Sequence, residues 1–180
     1  MKIDVNKVSI RICNSDDVKE IYNIQETVIN HFKENEKGYF LPFKEESYLR
    51  IVNNPTGDGE IYGAFYENKM IAWIFLSVAP KVEELKGNIP ELTGTCGDID
   101  GVVVLPEYRG NNLQKILVEF LEKKAIEKDI ENIIAEVTVG NKYSLNNLKD
   151  LGYEVKAEYF KNGIIKRYIL LKNLKERNSR

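Results

Sequence analysis

The segment from Val102 to Lys115 joins a strand, a tight turn and the start of a helix in immediate succession, and such a unit can bind phosphate. The first turn of a helix leaves backbone N–H groups without internal partners, and the helix dipole adds positive potential at that end. Gly110 allows the backbone to turn closely, and Arg109 and Lys115 add positive charge. The segment therefore predicts a phosphate site, although glycine and arginine also occur in such turns for packing reasons alone.

The turn lacks the signatures of two common nucleotide-binding loops. No Gly-Lys-Ser/Thr sequence is present, which excludes a Walker A loop. Gly110 also lacks the companion glycines of a dinucleotide-binding fingerprint.

Two acidic residues lie on the strand that leads into this turn. Asp98 and Asp100 are two positions apart, so both side chains project from one face of a regular strand. Neighbouring carboxylates raise the pKa of one of them, which favours a general base, or they attract a cationic amine. Glu136, on the following predicted strand, is a third candidate. A polar strand end that faces solvent is the alternative interpretation.

Cysteine and histidine usage excludes several other chemistries. Cys13 and Cys96 are far apart and lack a paired spacing, so we expect free thiols, with neither a disulfide framework nor a metal site. His31 is the one histidine of the chain, which excludes zinc ligation by a histidine pair. The sequence therefore predicts no metal.

Composition predicts a single domain over residues 1–180, with a core at about 8–171 and a short polar tail at 172–180. The chain has 180 residues and 43% hydrophobic content, and 26 basic residues nearly balance 28 acidic ones. The chain therefore lacks the excess of basic residues that nucleic-acid-binding proteins show, and we expect no nucleic-acid partner. No apolar run is long enough to cross a bilayer and the N-terminal residues lack a secretory apolar core, so we expect a cytoplasmic protein with no membrane partner.

Hydrophobic periodicity predicts seven strands and four helices. Strands are expected at 8–13, 61–66, 70–78, 98–104, 133–139, 153–161 and 164–171, and helices at about 16–32, 45–53, 111–128 and 144–151. Ala79 to Thr95, with two prolines and several acids, is predicted to be a loop. The order β-α-α-β-β-β-α-β-α-β-β predicts an α/β fold of the α+β type, a mixed sheet with helices on both faces.

Taken together, these motifs resemble the GNAT acetyltransferases. The resemblance is carried by the run Val102 to Gly110 with the helix and strand after it, by Asn141 to Ser144, and by Leu151 to Tyr153. It is close from Asp98 to about Leu171, and from Ser9 to Val78 it rests on the order of elements. It implies a GNAT-like acyl-CoA N-acyltransferase fold with acetyl-CoA as cosubstrate.

The resemblance implies that backbone amides of the turn hold the diphosphate of acetyl-CoA. The segment concerned comprises Arg109, Gly110, Asn111, Asn112, Leu113, Gln114 and Lys115. The family pattern is Arg/Gln-x-x-Gly-x-Gly/Ala, and Asn112 and Gln114 replace its two small residues. Asparagine tolerates left-handed backbone angles, so Asn112 is expected to substitute for glycine. Gln114 implies either a side chain turned away from the phosphates or an amide that helps to bind them.

The resemblance also assigns the rest of the cofactor site. The edge of the strand at Val102, Val103 and Val104 is expected to pair with the pantetheine arm, which enters a gap between this strand and the one at 133–139. Asn141 matches a family asparagine that contacts the cofactor, and Ser144 belongs to the same segment. For Asn141, an ordinary turn residue between strand and helix is the alternative interpretation.

Many family members use a carboxylate on the strand before the turn as a general base, which implies this role for Asp98 or Asp100, with Glu136 as a third candidate. The family's tyrosine general acid falls at Leu148, which cannot donate a proton, so Tyr143, Tyr153, another tyrosine or water must replace it. A backbone N–H near Val102 is expected to stabilise the oxyanion.

The implied function is N-acetylation of a primary amine of a small molecule or peptide, by direct transfer in a ternary complex, by a monomer or homodimer. Acceptor contacts are expected from the region 34–53, the segment 79–95 and the last hairpin, since loops on a rigid scaffold usually carry recognition. The alternative is a catalytically degenerate CoA-binding or regulatory module, motivated by Leu148, Asn112 and Gln114.

Overall fold

The structure, a computed structural model, describes residues 1–78 and 81–175 and is built around one sheet. The strands are β1 Ser9–Ile12, β2 Gly59–Tyr66, β3 Lys69–Ser77, β4 Cys96–Val104, β5 Asn132–Thr138, β6 Glu154–Lys161 and β7 Ile165–Asn173. The helices in this part of the chain are α1 Val18–Asn30, α2 Glu45–Asn53, α3 Lys81–Lys86, α4 Leu113–Ile126 and α5 Lys142–Asp150.

The seven strands form a mixed sheet in the order β1-β2-β3-β4-β5-β7-β6. β4 and β5 are parallel, and α4 forms the crossover between them. The remaining neighbours are antiparallel, including the two hairpins β2–β3 and β6–β7. The predicted mixed α/β sheet is therefore confirmed.

Helices cover both faces of the sheet. Trp73 of β3 packs edge-on against Tyr48 of α2, with ring centroids 5.6 Å apart. Ile74, which projects from the opposite face, is in register with Tyr62, and Tyr62 packs against Phe120 of α4 at 5.3 Å. α2 and α4 therefore lie on opposite sides of β2 and β3.

The prediction of a loop across 79–95 is wrong in part, because α3 Lys81–Lys86 lies within it. Val82, Leu85 and Ile89 are buried together against Ile134 and Ile169 of β5 and β7. This helix is short, and its stability comes from packing onto the sheet. Two nearby prolines and several acids make the same segment look like a loop in the sequence.

The last strand extends into the segment predicted as a polar tail. β7 continues to Asn173, and Lys172 is buried, with its Nζ 2.5 Å from Oε1 of Glu122 on α4. Leu174 is buried as well. Residues 176–180, the rest of the predicted tail, lie outside the described residues.

Arg11 and Asp17 join β1 to the start of α1. The guanidinium of Arg11 donates to both carboxylate oxygens at 2.7 and 2.8 Å, and the backbone N–H of Asn14 donates to Oδ2 at 2.9 Å. The hydrogen bonds from Arg11 hold the pKa of Asp17 below its ordinary value. The ionised carboxylate is therefore the form that stabilises the fold.

We expect Asp17→Asn to lower the free energy of unfolding by about 1 kcal/mol at neutral pH, because it removes the negative charge that Arg11 and the N–H of Asn14 contact. Since the folded pKa lies below the ordinary value of 3.8, this contribution is complete above that value and disappears as the pH falls through the folded pKa. Urea unfolding of wild type and variant at several pH values between about 7 and 2 should show that their difference in free energy of unfolding becomes smaller as the pH falls. A difference that stays constant with pH would contradict the electrostatic origin.

Candidate active site

The parallel strands β4 and β5 separate halfway along their length. Their pairing ends at Ile99 and Ala135, although β4 continues to Val104 and β5 to Thr138. The gap predicted between these two strands is therefore present. It exposes the β5-facing edge of the second half of β4, where no β5 backbone pairs with it.

A β-bulge lies where the two strands begin to part. Gly101 pairs with Phe75 of β3 and Ile99 pairs with Leu76, so Asp100 is an extra residue on β4. A bulge bends its strand and redirects the side chain of the extra residue. The bulge was not predicted from the sequence.

A cavity of about 1260 Å³ occupies the gap and reaches beyond it on both sides. Its wall includes residues of the turn, namely Arg109, Gly110, Asn112 and Gln114. It also includes Val102, Val103 and Val104 on the open edge of β4, and the carboxylates Asp100 and Glu136. One continuous space thus connects the start of α4 to the acidic side chains.

The turn before α4 presents backbone groups rather than side-chain caps. Asn112 precedes the helix in a left-handed conformation, with φ 58° and ψ 17°, and in the described part of the chain its side chain makes no capping hydrogen bond. Gly110 also has a positive φ of 78°, and a Cβ atom there would meet nothing within 4 Å. Asn112 therefore adopts the backbone conformation for which a glycine was expected, and the first turn of α4 fits an anionic group.

The side chain of Asn111 has a structural role, and the cofactor binding predicted for its backbone N–H stays a prediction. Its side chain is buried, accepts a hydrogen bond from the N–H of Ile3 at 3.2 Å, and donates to the carbonyl oxygens of Met1 and Tyr108, both at 2.8 Å. Lys2 donates to the carbonyl oxygen of Gly110 at 2.9 Å. The Asn111 side chain thus ties the turn to the first residues of the chain and does not line the cavity.

Gln114 and Lys115 connect α4 to α5. Gln114 donates to Oγ of Ser144 at 3.0 Å and accepts from Nδ2 of Asn147 at 2.7 Å, so its side chain is turned towards α5. It also lines the cavity, and its predicted relation to the phosphates stays a prediction. Lys115 pairs with Asp150 at 2.6 Å and does not line the cavity, and its predicted contact with a cofactor stays a prediction. Leu113 is buried below the turn and lines the cavity.

Arg109 remains as the cation of the turn. Its side chain is exposed, lines the cavity, and forms no ion pair with the residues that the structure describes.

Asn141 caps α5, with its Oδ1 accepting the N–H of Ser144 at 3.2 Å. This contact is the one expected of a turn residue. Both side chains also line the cavity, so their contact with a cofactor stays a prediction.

Three carboxylates converge at the other end of the cavity. Oxygens of Asp98, Asp100 and Glu136 all lie within 4.8 Å of one another. Asp98 is 0% exposed, which contradicts a solvent-facing strand end, and it lies behind the cavity wall, whereas Asp100 and Glu136 line it. Nζ of Lys161 lies 2.9 Å from Oε2 of Glu136. Carboxylates at this separation also suit a cation, so the predicted absence of a metal stays a prediction.

The position of the family tyrosine is filled by an apolar side chain. Leu148 is buried and lines the cavity. Tyr143 is 89% exposed and borders the opening. Tyr153 is buried outside the cavity lining, with its ring 5.3 Å from the ammonium of Lys172, so it is not placed to protonate a leaving group in the cavity.

The segment between α1 and α2 (residues 31–44, the α1–α2 loop) covers part of the cavity. The Tyr39 hydroxyl donates to the carbonyl oxygen of Gly140 at 2.7 Å. The carbonyl oxygen of Gly38 accepts from Oγ1 of Thr138 and from Nη2 of Arg167, each at 3.1 Å. These contacts hold the loop across the ends of β5 and β7, and no local spacing in the sequence indicates them.

All three segments expected to contact the acceptor contribute to the cavity wall. Phe40 and Phe43 come from the α1–α2 loop, Glu84 from α3, and Phe160 from the last hairpin. Tyr39 and Tyr159 belong to two of these segments and Tyr108 to the turn before α4, and all three line the cavity. The sequence did not single them out, because they come from separate elements. Acceptor recognition by these segments stays a prediction.

Within residues 1–78 and 81–175, none of the helices combines the length and the apolar character that crossing a bilayer requires.

Comparison with known proteins identifies the family. The model of the acetyltransferase (GNAT) family matches residues 18–153. A comparison with curated protein sequences gives no match.

Solved structures with low sequence identity share the fold. Salmonella typhimurium yncA, solved with its cofactor acetyl-CoA, is 15% identical with a TM-score of 0.73 over 94% of this chain and 95% of that one. The ribosomal-protein-S18-alanine N-acetyltransferase of Escherichia coli is 15% identical, with a TM-score of 0.69 over 93% and 94%. Arabidopsis thaliana NAA60, in complex with acetyl-CoA, is 16% identical, with a TM-score of 0.71 over 93% and 99%.

Proposed function

This chain belongs to the acetyltransferase (GNAT) family and is an acetyl-CoA-dependent N-acetyltransferase, and we propose that it transfers acetyl directly to a primary amine of a small molecule or peptide in a ternary complex. One observation carries the proposal. A single cavity has an uncapped helix start at one end and carboxylates at the other, with the open edge of β4 between them. Acyl donor and amine can therefore enter from opposite sides and meet in the gap.

The donor half of the cavity fits acetyl-CoA. The N–H groups of the first turn of α4 and the guanidinium of Arg109 would hold the diphosphate. The backbone of Val102 to Val104, which β5 leaves without a partner strand, would pair with the pantetheine arm. Acetyl-CoA supplies the thioester, and a backbone N–H near Val102 would stabilise the charge that develops on its carbonyl oxygen.

We assign proton removal to Asp100. An amine near neutral pH is mostly protonated and must lose a proton before its nitrogen can attack. Asp100 lines the cavity at the bulge, whereas Asp98 lies behind the wall and Glu136 is bound to Lys161. Asp100 accepts the proton directly or through one water molecule, and Glu136 adds negative charge that attracts the ammonium form.

The leaving group does not require a strong acid. The amine attacks the thioester carbonyl and forms the C–N bond, and the C–S bond breaks when that intermediate collapses, since a thiol with a pKa of about 8.5 leaves readily as the thiolate at neutral pH. After the attack the nitrogen carries one proton more than the amide product, and water at the cavity opening near Tyr143 would pass that proton to the thiolate. A leucine at position 148 is thus compatible with turnover.

We expect Asn112→Val to raise the Kd for acetyl-CoA at least about tenfold, because a β-branched residue disfavours the left-handed conformation that the turn requires. Asn112→Gly, which adopts that conformation freely, is the matched control and should bind within about threefold of wild type. Isothermal titration calorimetry measures both. Equal binding by the valine and glycine variants would contradict the role of this turn.

Thiol release over a panel of amines, measured on the same wild-type protein, separates the enzyme from a degenerate module. The enzyme releases CoA only when a suitable amine is present. Acetyl-CoA binding without release on any amine would support the module, and absence of binding would contradict the cofactor site itself.

A further inference from the structure

Arg167 on β7 is a buried cation in the wall of the cavity. Its side chain is 6% exposed, and Nη2 donates to the carbonyl oxygen of Gly38 at 3.1 Å. Among the residues that the structure describes, its Nε–H has no acceptor and the guanidinium forms no ion pair. Buried guanidinium groups are normally paired with an anion at contact distance. The carboxylates of Glu136, Asp100 and Asp98 act on Arg167 electrostatically, but from beyond ion-pair distance. The cavity is the open side from which an anion could come.

The position of Arg167 relative to the acidic group is set by the sheet register. Arg167 pairs with Thr138, and Glu136 pairs with Ile169, so Arg167 and Glu136 are diagonal neighbours on one face, roughly 7–8 Å apart at their backbones. Burial lowers the pKa of Arg167, and the carboxylates of Glu136, Asp100 and Asp98 oppose that shift. The guanidinium stays protonated at any physiological pH. The wall therefore presents a cation next to the place proposed for the amine.

We propose that Arg167 binds a carboxylate on the acceptor, so that the substrate class is a free α-amino acid, whose carboxylate is one carbon away from the amine. This inference rests on the proposed function. The ammonium group would lie at Asp100 and Glu136, the carboxylate at Arg167, and the side chain against the aromatic wall that includes Phe40. The amino group of a peptide is followed by a neutral amide, so this arrangement selects a free amino acid over a peptide N-terminus.

Arg167 also has a structural contact that the test must separate from substrate binding. Its hydrogen bond to Gly38 helps to hold the α1–α2 loop, and Thr138 donates to the same oxygen. Thr138→Val removes one anchor of this loop without changing any charge. Loosening of the loop should lower kcat/KM equally for acceptors with and without a carboxylate. Loss of an anion site should lower it for acceptors with a carboxylate alone.

The experiment compares phenylalanine with phenethylamine, and leucine with 3-methylbutylamine, as acetyl acceptors. Each pair differs by the carboxylate alone, and rates are corrected for the fraction of neutral amine. In wild type, kcat/KM should favour the amino acid by at least about tenfold, the usual effect of a charged hydrogen bond. The ratio of kcat/KM for the amino acid to kcat/KM for the matching amine should fall to near one in Arg167→Met. It should keep part of its value in Arg167→Lys and persist in Thr138→Val.

Two outcomes overturn the inference. One is a wild-type enzyme that does not prefer the amino acid of each pair, and this needs no variant to fold. The other is an Arg167→Met enzyme that keeps the wild-type ratio. If no amine is acetylated, the proposed function is contradicted separately, and calorimetric Kd values of the same compounds for the CoA-bound protein decide the role of Arg167.

Discussion

Asp100→Asn is expected to lower kcat/KM for the amine by about 10²- to 10⁴-fold, the usual contribution of a general base, without weakening acetyl-CoA binding. Asparagine keeps the size and polarity of the side chain but cannot accept the ammonium proton. The site of the change also lies at the acidic end of the cavity, away from the turn at Asn112. Steady-state thiol release and calorimetry on the same protein measure the two quantities.

The pH profile distinguishes proton removal from simple attraction of a cation. Without its base, the variant can use only amine that is already neutral, so its kcat/KM should rise tenfold per pH unit towards the amine pKa, about 10 for an alkylamine. Wild type should depend less steeply on pH. Glu84→Gln removes the same charge from the cavity wall and serves as the matched control. A similar, pH-independent loss in both variants would assign Asp100 to electrostatic attraction.

Local sequence signals predicted the elements that carry their own periodicity or turn chemistry. α2 begins and ends where predicted, at Glu45 and Asn53. Asn112 was predicted from its tolerance of left-handed angles, and it has a φ of 58°. Both predictions depend on a few neighbouring residues, which is why one sequence suffices for them.

Features that depend on distant partners were not predicted. The bulge at Asp100 appears only when β4 is paired with β3. The α1–α2 loop reaches the cavity through contacts between Gly38 and residues 100 and 129 positions away, Thr138 and Arg167. The prediction of a polar tail was wrong at Lys172, because its partner, Glu122, is 50 positions distant and gives no local signal. Spacing along the chain carries no information about such pairs.

The buried pair of Glu122 and Lys172 predicts the largest stability effect outside the site. Their side chains are 4% and 6% exposed, and the ion-pair distance is 2.5 Å. Glu122→Gln should lower the free energy of unfolding by about 3–5 kcal/mol, because it leaves a buried ammonium without its carboxylate. For a chain of this size, that corresponds to a Tm lower by roughly 6–20 °C. Thermal and urea unfolding measure the two quantities.

A double variant tests whether the loss comes from the orphaned charge. Glu122→Leu combined with Lys172→Met replaces the pair by apolar side chains, and it should recover most of the stability that either single change removes. A double variant as unstable as the sum of its parents would show that the pair acts through other contacts. Acetyl-CoA provides a further control, because α4 carries both Glu122 and the turn at its N-terminus. If the defect is one of global stability alone, saturating acetyl-CoA at about 100 times Kd should add about 2.7 kcal/mol to wild type and variant alike.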